Sequence, residues 1–203
     1  FSANVIKGHK TGYFLDHREN RKQVGLLSKN KTVLDVFSYA GGFSVHALAN
    51  QAKEVTSIDI SKQALTLAVQ NGKLNNFTGN HTTLVGDAFK ILQNFISKKR
   101  TFDIVIIDPP SFAKNKNEIE IAKKKYKELA LLGASLISKN GLLVLASCSS
   151  RVLASEFLAI NKEALDTVPR NYVLVKTTQH DIDHPINFKE GAYLKTGYYR
   201  FLD

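Results

Sequence analysis

Short segments rich in apolar and β-branched residues alternate with longer amphipathic segments along most of this chain. Residues 32–37 form the first apolar segment, and a Gly pair then leads into the helical pattern of residues 43–50. The same alternation predicts further strands at 54–59, 82–85, 102–107 and 142–147, and further helices at 62–75, at 88–98, from the loop 108–117 to about residue 138, and at 152–165. Strands and helices that alternate at these lengths favour a parallel sheet with helices on both faces.

The last part of the chain breaks this alternation. Predicted strands at 172–178 and 193–201 follow one another with no helical pattern between them, so we expect antiparallel neighbours at one edge of the sheet. The fold class is therefore α/β, a Rossmann-like, doubly wound, mostly parallel seven-stranded sheet with an antiparallel edge. Residues 1–31 are expected to form an extension that packs on the main domain of residues 32–203, with a hairpin through Thr11-Gly12 and a helix that begins near Asp16.

Composition limits the class of protein further. With 203 residues, of which 43% are hydrophobic, the chain suits one globular domain, which excludes a disordered chain and a disulfide-stabilised miniprotein. No apolar segment approaches the roughly 18 residues of a membrane helix and no signal-peptide pattern opens the sequence, so we expect a cytoplasmic protein without membrane contact. The single cysteine, Cys148, agrees with a reducing compartment. The absence of Met indicates a processed or truncated chain.

The positive charge of the chain is unevenly distributed. The formal net charge is +10, and Lys and Arg outnumber Asp and Glu most strongly in residues 1–31 and 90–127. Such segments attract a polyanion such as nucleic acid. Solvated helix faces are the simpler alternative, and charge alone does not decide between the two.

Acidic residues stand at the ends of the predicted strands, where ligands bind in a sheet of this kind. Asp35 lies in the first strand, Asp59 ends the second, Asp87 follows the third and Asp108 follows the fourth. The chain contains neither G-x-G-x-x-G nor G-x-x-x-x-G-K-[ST], the loops that hold a pyrophosphate or a nucleotide phosphate. A ligand with an amine, a ribose and an adenine but no pyrophosphate fits the pattern, which predicts S-adenosylmethionine (SAM) as the cofactor.

The predicted SAM site is built mainly on the loops after the first three strands. We expect Asp59 to accept both ribose hydroxyls and Asp87 to accept the adenine amino group, with an N-cap of the next helix as the alternative role of Asp87. The glycines after the first strand let the backbone approach the ligand. The predicted cofactor residues are Asp35, Ser38, Tyr39, Ala40, Gly41, Gly42, Asp59, Ile60, Asp87, Ala88 and Asp108.

Several motifs together resemble one known family. They are K-T-G-Y-F-L-D-H-R-E-N-R at 10–21, L-D-V-F-S-Y-A-G-G-F-S at 34–44, D-P-P-S-F at 108–112, S-C-S at 147–149, and D-H-P at 183–185 with Y-L-K at 193–195. Over essentially its whole length the chain resembles class I SAM-dependent methyltransferases, specifically those that make 5-methylcytosine in 23S ribosomal RNA. The resemblance implies that residues 32–203 are the methyltransferase domain, that 23S rRNA is the partner, and that an N-terminal RNA-binding PUA domain is missing here. A homodimer is compatible with the sequence.

The resemblance also implies that Cys148 is a catalytic nucleophile. Carbon 5 of cytosine is a poor nucleophile, and addition of a thiolate to carbon 6 turns the ring into an enamine that can attack the SAM methyl group. We expect the start of the following helix and the nearby Arg151 to lower the pKa of the thiol. A small buried apolar side chain is the alternative role.

Asp108 is the second predicted catalytic residue. Its carboxylate is expected to meet the amino and ring-nitrogen edge of a flipped base, with Phe112 or Tyr39 as a stacking surface, although core packing is an alternative role for Phe112. The lysines at 114–127 follow this loop directly and are expected to contact the RNA backbone. The predicted substrate-binding residues are Pro109, Pro110, Phe112, Lys114, Lys116, Arg151 and His184. No metal site is predicted, because the His and Asp residues at 180–184 lack a ligand frame.

Two other functions remain open from the sequence. The first is a SAM-dependent methyltransferase that acts on a guanine nitrogen in rRNA or on a small molecule, which needs no thiol. The second is a module that binds SAM and RNA without catalysis.

Overall fold

The computed structural model of the protein describes residues 1–3 and 13–203, in which helices and strands alternate as the sequence predicts. The strands are β1 (Thr32–Val36), β2 (Glu54–Asp59), β3 (Asn80–Val85), β4 (Phe102–Ile107), β5 (Ile137–Ser147), β6 (Tyr172–Thr178) and β7 (Lys195–Phe201). The α-helices are α1 (Arg18–Leu27), α2 (Gly42–Ala49), α3 (Lys62–Lys73), α4 (Ala88–Ser97), α5 (Ile119–Leu136) and α6 (Ala154–Leu165). Short 3₁₀ turns lie at Leu15–His17, Lys116–Glu118 and Lys189–Gly191.

The strands form one seven-stranded sheet in the order β3-β2-β1-β4-β5-β7-β6. The pairs β1–β2, β2–β3 and β4–β5 are parallel, and β7 is antiparallel to both β5 and β6. The predicted α/β class, with a mostly parallel sheet and an antiparallel edge, is confirmed. The predicted hairpin through Thr11-Gly12 lies outside the described residues, and the helix expected near Asp16 is present as α1 after a 3₁₀ turn.

The chain divides into two compact units, Phe1–Lys90 and Ile91–Asp203. The core of the first unit is formed by β1 and β2, whose apolar side chains are fully buried against α2 and α3. The core of the second unit is formed by β4 and β5, where long apolar runs are buried against α5. Continuous apolar runs are expected for central strands that are covered on both faces. The predicted boundary after residue 31 stays a prediction.

Several predicted element boundaries differ from the structure, and the largest difference is at β5, which begins at Ile137 and not at residue 142. The long helix was expected to reach about residue 138, but α5 ends at Leu136, and Ile137 is already extended and pairs with Phe102 of β4. The Arg170 side chain explains this early end, because its guanidinium donates to the carbonyl oxygens of Ala134 (3.1 Å) and Ile137 (2.8 Å). These carbonyls have therefore found a partner outside the helix.

No helix within the described residues is long and apolar enough to cross a membrane.

Candidate functional site

The turn between β1 and α2 has an unusual backbone. Phe37, Tyr39 and Gly41 all have positive φ angles of 64°, 48° and 82°. Glycine adopts this conformation readily, but Phe and Tyr do so at a cost, so the turn is strained at two positions. Strained backbone of this kind persists where surrounding contacts enforce it, which is common at binding sites.

Hydrogen bonds from β2 and α3 hold this turn in place. The Ser38 backbone N–H donates to the Ile58 carbonyl (3.0 Å), and the fully buried Asn71 donates its side-chain amide to the Ala40 carbonyl (3.2 Å). A Cβ atom on Gly41 would lie 2.8 Å from Ala68 Cβ, so only glycine fits at this point. The predicted loop of residues 38–42 is therefore fixed by neighbouring elements.

Asp35 is fully buried beneath this turn. Its Oδ2 accepts from the Ser44 backbone N–H (2.9 Å) and from the Ser44 hydroxyl (2.6 Å). The same hydroxyl lies 2.6 Å from Ser57 Oγ, which in turn lies 2.8 Å from His81 Nε2. Asp35 thus ties the first turn of α2 to β1, and its predicted contact with the cofactor amine stays a prediction.

Asp59 lies at the carboxyl end of β2 and is half-buried. Its Oδ2 accepts from the Tyr39 backbone N–H (2.9 Å) and its Oδ1 accepts from the Ser61 backbone N–H (2.8 Å). Two backbone donors fix the carboxylate, and each of its oxygens keeps a further lone pair for a ligand hydroxyl. The next residue, Ile60, has an exposed side chain.

Asp87 follows β3 and is exposed. Its Oδ1 accepts from the Lys90 backbone N–H (3.0 Å), which is the geometry of an N-cap for α4. The following Ala88 is buried. The capping role considered for Asp87 is confirmed, while its contact with the adenine stays a prediction.

Residues 13–31 of the N-terminal extension pack against α2. Arg21 is buried and donates to the Phe14 carbonyl (2.6 Å), and its guanidinium lies 4.5 Å from the centre of the Tyr13 ring. A Cβ atom on Gly42 would lie 3.0 Å from Arg21 Cδ, so the first residue of α2 touches this side chain closely. The Phe14 ring meets the Tyr39 ring edge-on at 5.4 Å. The extension therefore supports the turn after β1.

In the second unit, Cys148 follows β5 and is half-buried. Its Sγ lies 3.7 Å from the Pro109 carbonyl oxygen, so the thiol touches the Asp108-Pro109-Pro110 loop that follows the neighbouring strand β4. Pro109 is buried, Pro110 is exposed and Asp108 is half-buried. The structure thus places Cys148 against the loop that begins with Asp108, the other predicted catalytic residue.

Tyr126 of α5 holds the segment around Cys148 from one side. The buried Ser147 hydroxyl donates to Tyr126 Oη (2.9 Å), and the Ser149 backbone N–H donates to Ser147 Oγ (3.3 Å). Burial is the main cause that raises the pKa of Tyr126 to about 12; negative charge at Cys148 and Asp108 acts in the same direction, and the hydrogen bond from Ser147 opposes it. Tyr126 is therefore a neutral phenol at physiological pH.

Lys195 of β7 holds the same segment from the other side. It is 3% exposed, and its ammonium group donates to the carbonyl oxygens of Ser149 and Tyr193. Burial lowers the pKa of Lys195 to about 8, against the opposing effect of the charges at Cys148 and Glu156. A positive charge near a thiol favours the thiolate, which is the reactive form.

The predicted substrate-binding residues near the loop after β4 differ in their exposure and in their packing partners. The Phe112 ring lies 5.3 Å from the Tyr126 ring, and the Lys125 ammonium lies 4.9 Å from the centre of Phe112, so this residue has packing partners of its own. Arg151 is exposed and donates through Nε to the Lys114 carbonyl (3.2 Å), which links it to the loop after β4. The side chains of Lys114 and Lys116 are exposed.

His184 lies in the loop before β7, within a cluster of aromatic rings. Its ring stacks on His180 at 4.7 Å, and its Nε2 lies 3.4 Å from Tyr193 Oη. Among the described residues, no group of three or more His, Cys, Asp and Glu side chains could hold a metal ion.

Sequence reasoning missed several residues of this site. Ser44 and Asn71 were not singled out, because the hydrogen bonds that make them important join separate elements. Tyr126 gave no signal beyond a helical position. Lys195 was present in the Y-L-K motif, but without the structure nothing connected that motif with Cys148.

An α/β sheet with a glycine-containing turn after β1 and a fixed carboxylate after β2 is typical of proteins that bind a nucleoside-containing cofactor. The described turn and the half-buried Asp59 fit such a group.

The chain belongs to the S-adenosylmethionine-dependent methyltransferase family, whose model matches residues 1–200. SAM is therefore the cofactor, as predicted. The chain is 37% identical to ribosomal RNA large subunit methyltransferase I of Aeromonas salmonicida over 196 residues, which cover 95% of this chain and 50% of that protein. It is 41% identical to a ribosomal RNA large subunit methyltransferase of Deinococcus radiodurans, with 96% of this chain and 48% of that protein covered. The chain thus spans about half the length of these relatives.

Solved structures agree with this family. A proposed SAM-dependent methyltransferase from Streptococcus mutans superposes with a TM-score of 0.84 at 29% identity, covering 96% of this chain and 51% of that one. A proposed methyltransferase complexed with S-adenosylhomocysteine (SAH) superposes with a TM-score of 0.81 at 29% identity, covering 94% of this chain and 50% of that one.

Proposed function

We propose that this chain is the catalytic part of an RNA methyltransferase that transfers the methyl group of SAM to carbon 5 of a cytosine in 23S rRNA. The observation that carries the proposal is the contact of 3.7 Å between Cys148 Sγ and the Pro109 carbonyl, which sets the only thiol of the chain against the D-P-P loop. The names of the relatives, which are ribosomal RNA large subunit methyltransferases, support rRNA as the substrate.

The proposed reaction uses Cys148 twice. Its thiolate adds to carbon 6 of the cytosine, which places an electron pair at carbon 5. SAM supplies an electrophilic methyl group, which carbon 5 takes while SAH leaves. Loss of the carbon-5 proton to a base then restores the ring double bond and expels the thiolate. Asp108, on the loop after β4, is proposed to hold the amino and ring-nitrogen edge of the flipped base.

The cofactor is proposed to lie on the first unit. Asp59 accepts the ribose hydroxyls, and the loop of residues 38–42 with Asp35 lies beside the amino acid part. Ile60 lies against the adenine, and Asp87 with Ala88 receives its amino edge. These assignments rest on the fixed carboxylate of Asp59 and on the strained turn after β1.

A pair of substitutions tests the proposed nucleophile. Cys148→Ala should reduce transfer of labelled methyl from SAM to 23S rRNA fragments by at least about 10³-fold, because no other thiol can form the adduct. SAM affinity, measured by calorimetry, should stay within about twofold of the parent chain. Ser150→Ala, at the exposed neighbouring position, is the matched control and should keep full activity.

Two readouts identify the modified base. Nucleoside mass spectrometry of the methylated RNA should show 5-methylcytidine, and RNA that contains 5-fluorocytidine should form a denaturation-stable complex with the parent chain but not with the Cys148→Ala variant. Full activity of Cys148→Ala, or a methyl group on guanine nitrogen, would refute the proposal. Binding of both ligands without turnover would instead favour a module without catalysis.

A further inference from the structure

We infer that Lys195 is the positioning residue that keeps Cys148 in its reactive thiolate form. This inference deepens the proposed function, since Cys148 is the nucleophile proposed above. It concerns the ionisation of the thiol itself, which can be measured without SAM and without RNA.

The strand register places Lys195 beside the cysteine. Lys195 opens β7 and is the antiparallel partner of Ser147, the last residue of β5. Its side chain turns back along the segment that follows β5, and its ammonium donates to the Ser149 carbonyl. A second hydrogen bond, of 3.1 Å, goes to the Tyr193 carbonyl. Lys195 therefore holds the backbone on the far side of Cys148, while Ser147 and Tyr126 hold the near side.

The charge of this lysine is poorly compensated by its hydrogen bonds. Both acceptors are neutral carbonyl groups, and an almost fully buried ammonium is costly without a negative partner. Two titratable groups interact with it electrostatically, Cys148 on the loop after β5 and Glu156 in the first turn of α6. The Glu156 carboxylate already accepts from Lys123 Nζ (2.9 Å) and from the Leu153 backbone N–H (3.0 Å). The Cys148 thiolate is thus the negative group that remains to balance Lys195.

The interaction between the two groups is reciprocal. A negative charge on Cys148 raises the pKa of Lys195, so a positive charge on Lys195 must lower the pKa of the thiol by the same interaction energy. With a pKa of about 8, Lys195 is mostly protonated at pH 7 and supplies this charge where it is needed. When the thiol ionises its proton goes to water, and the ion pair with Lys195 remains.

Arg151, the cation that the sequence suggested for this role, is in a different position. It is exposed and its Nε donates to the Lys114 carbonyl. The helix that follows Cys148 begins at Ala154, with Leu153 as its N-cap, so Cys148 lies before its first turn. Lys195 is the buried cation beside this segment. An Arg151 variant therefore tests the alternative that the exposed arginine sets the ionisation of Cys148.

The pH profile of Cys148 alkylation tests the inference directly. Because the chain has one cysteine, the rate of mass gain with iodoacetamide reports this thiol alone. For the parent chain we expect a midpoint below the ordinary thiol value of about 8.5. Lys195→Gln, whose amide can still donate to a carbonyl, should raise the midpoint by at least about one unit, so that the rate at pH 7 falls about tenfold. At about pH 10 the two rates should converge, since both thiols are ionised there.

Three further variants make the result specific. Lys195→Arg keeps the charge and should restore most of the parent rate at pH 7. Lys162→Met removes an exposed lysine of α6 that pairs with Asp166 and should change nothing. Arg151→Met should shift the midpoint of the pH profile by no more than about 0.3 pH units, where a shift of a full unit would change the rate at pH 7 about tenfold. Circular dichroism and SAM affinity show whether each variant is folded.

Two results would overturn the inference. One is a parent midpoint at or above the ordinary value of about 8.5 for a free thiol, which needs no variant at all. The other is a folded Lys195→Gln protein with an unchanged midpoint, or a shift that follows Arg151 instead. Neither result bears on whether Cys148 is the nucleophile, which the methyl-transfer assay decides separately. Conversely, a failure of methyl transfer would leave the ionisation measurement unaffected.

Discussion

At the scale of single residues, the acids at the strand ends differ in the groups that hold their carboxylates. Asp35, Asp59 and Asp87 all occupy the strand positions expected from the alternating pattern. Their hydrogen bonds differ, because the partners come from elements that only the fold brings close. Asp35 is taken up by Ser44, Asp87 caps α4, and Asp59 is held by two backbone amides with lone pairs left over.

This difference gives a prediction for cofactor binding. Asp59→Asn removes the charge and one acceptor, so the Kd for SAM should rise at least about tenfold, since a hydrogen bond to a charged group contributes roughly 1.5–3 kcal/mol. Glu54→Gln is the matched control, because it makes the same chemical change at the opposite end of β2, and should leave the Kd unchanged. Calorimetric titration with SAM measures both. Equal affinities in the two variants would mean that Asp59 does not contact the ribose.

At the scale of elements, strands and helices follow from periodicity, whereas the turns that shape the site do not. β2, β4 and β6 match their predicted bounds, because each is a continuous run of strand-forming residues between polar ones. The positive φ angles of Phe37 and Tyr39 could not be predicted, since neither residue favours that conformation. The start of β5 at Ile137 was missed, because Arg170, distant in sequence, binds the carbonyl groups of Ala134 and Ile137.

Two glycines of the first unit provide an opposed pair of substitutions. Gly41→Ala should lower the free energy of unfolding by about 1–3 kcal/mol, because alanine is disfavoured at φ 82° and its Cβ would lie 2.8 Å from Ala68 Cβ. Gly72→Ala, in α3, meets only contacts of 3.6 Å and longer and should stabilise by up to about 1 kcal/mol through helix propensity. Urea unfolding of both variants checks the signs. A Gly41→Ala protein as stable as the parent would show that the turn after β1 relaxes easily.

At the scale of the whole molecule, fewer lysines are available to contact RNA than the net charge of +10 suggests. Lys123 pairs with Glu120 and Glu156, and Lys127 pairs with Glu163. Lys114 and Lys116 remain exposed on the loop that follows β4, next to the proposed substrate site. We therefore expect RNA contact to depend more on Lys114 and Lys116 than on the paired lysines of α5, Lys123 and Lys127.

The salt dependence of RNA binding tests this expectation. The double variant Lys114→Ala with Lys116→Ala should weaken binding of a 23S rRNA fragment and reduce the slope of log K against log salt by about 0.7 for each lost phosphate contact. The double variant Lys162→Ala with Lys176→Ala changes the net charge equally at α6 and β6, and should keep the parent slope. Fluorescence anisotropy between about 50 and 200 mM salt gives both slopes. Equal losses in the two double variants would indicate a response to net charge alone.

The position of β7 has a consequence for the order in which the chain can fold during synthesis. β6 pairs with β7 and lies at the edge of the sheet, while β7 lies between β5 and β6. β6 therefore leaves the ribosome before its partner exists, and it carries the exposed side chains of Val173, Leu174 and Val175. Because a strand without a partner is prone to mispairing, this side of the sheet depends on a strand that is translated after β6. The same strand carries Lys195, so its ammonium reaches the Ser149 carbonyl beside Cys148 only when β7 has paired with β5.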